Sequence, residues 1–322
     1  MNGKALSRWI LPSLLATALA PAMGQQQTPA VKPARAVASV TPEDVPAWAF
    51  PGPVLYSVPG TTRRITEVVQ FDRTRAIDWF PDEHPSMPDA VKGRTPVYGC
   101  SFCHLPTGGG RAGNGSLAGL SANYIREQVA NMKSGVRAYD SRFTTGVNMV
   151  LVANLSADAD IDAAANYYAG LPYRKLIRVV EAARIPRVST DSVYLFDRSG
   201  ATEPLGERII EGPDDAERFR QRDPNITYTA YVPVGSIARG AALARGTQQR
   251  PACDTCHGPG LKGSEIAPPL AGRYATGVFR QLYDFRTGLR NGPQAELMKP
   301  VVAGLSQQDM IALAAYATSL DP

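Results

Sequence analysis

Two copies of one pentapeptide constrain this chain more than any other feature: Cys100-Ser101-Phe102-Cys103-His104 and Cys253-Asp254-Thr255-Cys256-His257. Together they use all four Cys and two of the three His in 322 residues. Cys-x-x-Cys alone is compatible with a disulfide, a redox dithiol or half of a zinc site. A His directly after the second Cys selects different chemistry. Cys-x-x-Cys-His is the attachment signature of c-type haem: the thiols add across two vinyl groups, and the short turn brings the imidazole to the iron. Zinc is disfavoured further because the two Cys pairs lie 153 residues apart, far from compact ligand spacing. The motifs therefore predict two covalently bound haem c groups, held by Cys100, Cys103, Cys253 and Cys256, with His104 and His257 as proximal iron ligands.

The chain is also written twice. A shift of 153 residues superimposes the motifs and maps Gly93 on Gly246 and Gly110 on Gly263. It carries Leu117-Ala118-Gly119 onto Leu270-Ala271-Gly272, Gln128 onto Gln281, Gly135 onto Gly288 and Arg137 onto Arg290. One ungapped register indicates two copies of one unit, each built round one haem. Helices are expected from about Asn123 to Ser134 and from Thr276 to Thr287, closed by Gly135 and Gly288. A shorter helix, Ser236 to Arg245, leads into the second motif. Each copy should end in a helix, Asp158 to Leu171 and Gln307 to Leu320, with Ser156 and Ser306 as N-caps. Tyr167 and Leu171 share one face, as do Tyr316 and Leu320, at i,i+4 spacing.

The opposite face of each iron needs a ligand, and the choice lies among His84, Met87, Met132, Met149, Met298 and Met310. Met149 follows its His by 45 residues and Met298 by 41; both are expected in loops before the last helix, free to turn sulfur inward. Met132 aligns with Phe285 and Met310 lies among apolar helix residues, so both read as packing. His84 reads as a loop imidazole bonded to backbone or carboxylate, with ligation the rival role. Thioether sulfur favours iron(II) and raises the potential relative to two imidazoles. With both coordination shells filled no open iron site is predicted and no catalytic residue is assigned, which favours electron transfer over catalysis.

The N-terminus reads as an address. Lys4 and Arg8 precede the apolar run Trp9 to Ala20, and Ala22-Met23-Gly24 supplies small residues for cleavage after Gly24, so residues 1–24 form a secretory signal. The apolar run falls short of the roughly 20 residues a bilayer span needs, and no later stretch is long and apolar enough. An exported, periplasmic protein with no membrane span after cleavage is the expectation. Residues 25–47 have too few large apolar groups to pack. The net charge of +5 is too small and scattered for a nucleic-acid binder.

On these residues the chain resembles the tandem dihaem cytochromes c of proteobacteria, made of two class I cytochrome c domains. The resemblance is tightest from Pro251 to Leu320. It rests on Ala252-Cys253-Asp254-Thr255-Cys256-His257-Gly258-Pro259, Pro269-Leu270-Ala271-Gly272, Met298 and Ala314-Ala315-Tyr316. It is looser from Val97 to Leu171. It implies a mainly α fold of two helical domains: residues 48–171 with an N-terminal extension, and residues 236–322. It implies a carrier between a dehydrogenase or quinol-oxidising complex and an oxidase or another cytochrome. Two stretches depart from the compact family form, Trp48 to Pro88 and the insertion 172–235. The insertion has strand-like runs Leu176 to Val188 and Thr227 to Val234 around the charged segment Arg208 to Asp223, readable as a solvated connector or as a docking surface. Two alternatives stay open: a dedicated cytochrome subunit of a periplasmic dehydrogenase, and a dihaem peroxidase-type enzyme, which would need a releasable iron site and acid–base side chains beside it.

Overall fold

The computed structural model describes residues 55–66, 72–138, 144–191 and 193–322. The expected signal and leader, residues 1–47, lie outside the described residues. Gly52–Pro322 forms one compact unit that holds both copies of the repeat. It is mainly helical, with short strands confined to the extension and the insertion.

The extension contributes β1 (Leu55–Tyr56), antiparallel to β2 (Ile65–Thr66), over a small core of Val58, Ile77 and Trp79. The first copy then runs α1 (Asp89–Lys92), α2 (Cys100–His104), α3 (Ala122–Lys133), α4 (Thr144–Leu155) and α5 (Asp158–Ala169). The insertion holds β3 (Ile177–Glu181), β4 (Arg184–Pro186), β5 (Val188–Asp191), β6 (Val193–Phe196), β7 (Thr202–Pro204), β8 (Ile210–Pro213), α6 (Ala216–Arg220) and β9 (Tyr228–Val232). The second copy follows as α7 (Ser236–Ala244), α8 (Asp254–His257), α9 (Ala275–Thr287), α10 (Ala295–Val302) and α11 (Gln307–Ser319).

The expected helices form where their local chemistry allows. Ser121 caps α3, its Oγ accepting from the Tyr124 N–H at 3.2 Å. Gly288 closes α9 at φ +74°, a conformation glycine adopts without Cβ strain. Ser306 and Asp309 cap α11 reciprocally. Ser156 departs from expectation. Its hydroxyl turns back to the Val152 carbonyl at 2.7 Å, and Ala157 stands at the start of α5 without a side-chain cap. The preceding helix α4 offers an unpaired terminal carbonyl, and the serine satisfies that instead.

The two copies meet through a reciprocal contact. Ala138 N–H donates to Leu289 O at 2.7 Å and Asn291 N–H to Val136 O at 2.8 Å, the same bond with the copies exchanged. Side chains repeat the exchange. Arg137 donates to Gln128 and Gln281 at 3.0 Å each, and Arg290 donates to the same two amide oxygens at 2.8 Å each. Residues matched by the repeat therefore face one another across a pseudo-twofold axis, the geometry of an isologous interface inside one chain.

The insertion is packed rather than solvated. β9 lies between β3, parallel, and β8, antiparallel. Every residue of β8 is buried, although the charged segment that contains it looks like surface in the sequence. Glu211 on β8 is 3% exposed and accepts from Thr276 N–H at 3.1 Å and Thr276 Oγ at 2.5 Å. It caps α9, whose own N-cap residue Tyr274 supplies no side-chain bond.

Candidate functional site

A cavity of about 780 Å³ occupies the first copy, lined by Cys100, Cys103, His104 and Met149 among others. The turn that carries the motif starts after Gly99, and both thiols fall on it three residues apart with His104 at its end. His104 donates through Nδ1–H to the Gly115 carbonyl at 2.7 Å. That bond fixes the tautomer and leaves Nε2 with the lone pair a metal ligand needs. The imidazole faces the cavity rather than bulk water, and burial lowers its basicity. Burial likewise pushes the Cys100 thiol up to about 12. Tyr168 on α5 meets the His104 ring edge-on at 6.4 Å, and Tyr167 donates its hydroxyl to Pro106 O at 2.8 Å.

The second copy repeats the construction. A cavity of about 600 Å³ is lined by Cys253, Cys256, His257 and Met298. His257 Nδ1–H donates to Pro268 O at 2.8 Å, and Pro268 matches Gly115 under the 153-residue shift. Desolvation again lowers the imidazole's basicity. Met298 packs on the core of Phe285, Val302, Met310 and Leu313. The cavities adjoin, because His104, Asn114, Leu117 and Met149 line both.

The two Met residues are on helices, Met149 on α4 and Met298 on α10, which corrects the expectation of loops. Around Met149 the run Val150-Leu151-Val152-Ala153 continues a helical turn. In α10 Pro300, the sixth of its eight residues, removes one intrahelical bond, the one its N–H would otherwise give to the Glu296 carbonyl. Met310 is wholly buried, as expected for packing. Met87 is 7% exposed and sits in the first copy's core. Met132 instead lines the second cavity. His84 engages both nitrogens, Nδ1 with Pro85 O at 2.9 Å and Nε2 with Asp78 Oδ1 at 3.2 Å, the loop arrangement read from its neighbours.

Several site residues escaped the sequence reading. Phe219, Arg220 and Arg222, from the charged segment of the insertion, line the first cavity together with Arg73 and Arg111. Arg137, Arg290, Gln128 and Gln281 line the second cavity from the interface. Burial brings the Arg137 guanidinium down to about 10, with the like charge of Arg290 adding to it. The repeat register marked these four as matched positions; that they touch is a long-range fact no local signal carries.

Both cavities fit a covalently held haem by the chemistry of their donors: two thiols on one turn, an imidazole with its second nitrogen tied to a carbonyl, and a thioether on a separate helix. Residues 237–321 match the cytochrome c family. Cytochrome c-554(548) of Halomonas halodenitrificans is 38% identical over 77 residues, 24% of this chain and 93% of that protein. Cytochrome c4 of Pseudomonas aeruginosa is 28% identical over 240 residues, 72% of this chain and 89% of that one. A thiosulfate dehydrogenase electron acceptor of Stutzerimonas stutzeri is 26% identical over 222 residues, 67% of this chain and 76% of that one. The chain belongs to the c-type cytochromes. It is a tandem dihaem cytochrome of the proteobacterial type, with two covalently bound haem c groups, that transfers electrons to and from redox protein partners.

Proposed function

We propose that the chain carries single electrons through two His/Met-ligated haems, His104 with Met149 and His257 with Met298, in units spanning residues 48–171 and 236–322. The observation behind this is the twofold convergence of a Cys-x-x-Cys-His turn and one Met-bearing helix on each cavity. Bound there, haem iron supplies one-electron exchange between two oxidation states. The chain does the rest. Gly115 and Pro268 hold the imidazoles in one tautomer, and Met149 and Met298 offer soft sulfur that favours the reduced metal. The apolar walls exclude water and so tune the potentials. The reading assigns Cys100, Cys103, Cys253 and Cys256 to the thioether bonds.

The export pattern of residues 1–24 supports a periplasmic location, and no described helix is long and apolar enough to cross a membrane. The donor in this reading is a dehydrogenase or quinol-oxidising complex and the acceptor an oxidase or another cytochrome. Similarity to a thiosulfate dehydrogenase electron acceptor supports an oxidoreductase as donor. A second reading, a dedicated cytochrome subunit of a periplasmic dehydrogenase, is favoured by the insertion wall on the first cavity. Purification from the native host followed by a redox-titrated electronic spectrum tests both. A free protein with two low-spin, sulfur-ligated haems supports the carrier; a stable complex supports the subunit; a high-spin haem that turns over peroxide overturns both.

A further inference from the structure

The first cavity has a cationic wall that ligation of iron does not use. Arg111 is 8% exposed and stacks on the Phe219 ring at 3.9 Å, with Nη2 donating to Phe219 O at 2.8 Å. Arg222 stacks on the Phe102 ring at 3.6 Å, and its backbone is held at φ +57°, a region non-glycine residues avoid. The Nε atoms of Arg111 and Arg222 are both buried without a hydrogen-bond partner. Arg73 lines the same cavity. Burial is the main cause that lowers the Arg222 guanidinium to about 9, with Arg111 and Arg73 adding repulsion.

Like charges gathered in a desolvated wall are costly unless an anion joins them. Among the described residues the neighbouring carboxylates have other partners: Asp223 with Arg218 at 2.7 Å, Asp72 with Arg75 at 3.3 Å, Glu217 with Arg220 at 3.8 Å and Asp160 with Arg94. Haem propionates are poor candidates for the vacancy in charge. Arg222 stacks on Phe102, the residue next to Cys103, and Arg73, Arg111 and Arg222 line the cavity together with Cys103, whereas a haem c carries its propionates on the ring edge opposite the carbons that cysteines bind. Guanidinium forks match tetrahedral oxyanions geometrically, and stacking on Phe102 and Phe219 fixes the direction of two forks. The second copy places Thr255 and Ser264 where the first has Phe102 and Arg111, and among the described residues none from the insertion lines its cavity.

We propose that Arg73, Arg111 and Arg222 form a binding site for a small inorganic oxyanion beside the Cys103 edge of the first haem site, so that anion binding selectively lowers the potential of that haem. The sign follows from charge, because an added anion stabilises the more positive, oxidised metal centre. The proposal rests on the first cavity holding a haem, and calorimetry separates its failure from failure of that reading.

The test uses the holoprotein with sodium sulfate as the probe, ionic strength being held constant with chloride. Calorimetry is expected to show one sulfate per chain. Redox titration is expected to show one of the two midpoint potentials falling along a saturating curve while the other stays fixed. Arg222→Gln and Arg111→Gln should each weaken the apparent sulfate affinity at least tenfold, and Arg222→Lys should recover part of it. If Arg111→Gln does not accumulate with two haems, the Arg222 pair carries the comparison alone. No saturable binding, an equal shift of both haems, or undiminished affinity in Arg222→Gln would each overturn the site. A propionate seated in the cluster would give the first of these results together with a shifted potential in Arg222→Gln lacking sulfate.

Discussion

The two copies share a haem motif, a Met-bearing helix and a closing helix, yet they solve the packing of the closing helix differently. In the second copy α7 crosses α11 with Gly240 at the contact, so close that a Cβ there would run into the Ala312 carbonyl and the Tyr316 side chain. In the first copy the matching position is Met87. The helix there is reduced to the single turn α1, and Met87 and Val91 fill the core against Tyr168 and Leu171 of the closing segment. A glycine that allows two backbones to touch has been exchanged for a side chain that fills the gap between them. What the two copies keep in common is thus narrow: the motif turn, a carbonyl for the imidazole, a methionine lining the cavity and one helix to close it. The rest can be rebuilt, and in the first copy the extension and insertion rebuild it.

The sharpest way to break the likeness between the copies is to remove each thioether. Met149→Ala and Met298→Ala should each lower the potential of one haem by about 0.1–0.3 V, within the ~0.8 V span that axial ligation covers, and open that iron to carbon monoxide. Met149 lines both cavities and Met298 only the second. Met149→Ala should therefore also move the second potential slightly, whereas Met298→Ala should leave the first in place. A redox titration with a carbon monoxide difference spectrum reads both; unchanged potentials would refute the ligand assignment.

Next in size is the packing contrast. Gly240→Ala forces a methyl into the Ala312 backbone and should cost about 3 kcal/mol, at the upper end of overpacking penalties. Met87→Ala should cost about 2–3 kcal/mol by the opposite mechanism, a cavity in place of a buried side chain. Denaturant unfolding of the holoprotein measures both. If Gly240→Ala proved neutral, the close α7–α11 crossing would be wrong.

The interface should respond more gently and, unlike the rest, symmetrically. Arg290→Gln removes donors from the Gln281 and Gln128 oxygens and from the Tyr124 hydroxyl. It also relieves the like charge of Arg137. The losses set the sign, and about 1–2 kcal/mol of destabilisation is expected. Arg137→Gln loses its bonds to the same two amide oxygens but none to a tyrosine, so it should cost less by no more than that one bond, about 0.5–1.5 kcal/mol. A large inequality between the two would mean that the pseudo-twofold axis does not organise the energetics.

How much of this was legible beforehand depends on the range over which each feature is encoded. The motifs and the glycine-terminated helices are local, and Gly288 closes its helix where its position predicts. The helical state of Met149 and Met298 is not legible because a short apolar run is ambiguous over so few residues, and beside Met298 Pro300 also reads as a break. The segment Arg208 to Asp223 misled for a different reason. Its charges dominate its composition, but Ile210 and Phe219, 1% and 7% exposed, determine where it packs. The side chains it brings to the first cavity come from positions more than a hundred residues from the motif, beyond the reach of any periodicity.

The smallest contrast concerns how the closing helices begin. Ser306 Oγ accepts from Asp309 N–H at 3.1 Å, and the Asp309 carboxylate accepts from Ser306 N–H at 2.9 Å, whereas Ala157 leaves α5 without such a cap. Ser306→Ala should cost about 1 kcal/mol and Ser156→Ala much less, since Ser156 only back-bonds to Val152. The Asp309 carboxyl titrates below its ordinary value: burial opposes the shift, but bonds from Ser306 and Arg239 outweigh it. A carboxylate favoured by the folded state contributes stability that is complete above its unfolded value near 3.8 and is lost as pH falls through the lower folded value. The penalty of Asp309→Asn should therefore be about 1 kcal/mol at pH 7 and shrink as the solution is acidified below pH 3.8. Paired unfolding curves across that window check it; a penalty that stayed constant with pH would show that the carboxylate's charge plays no part in starting this helix.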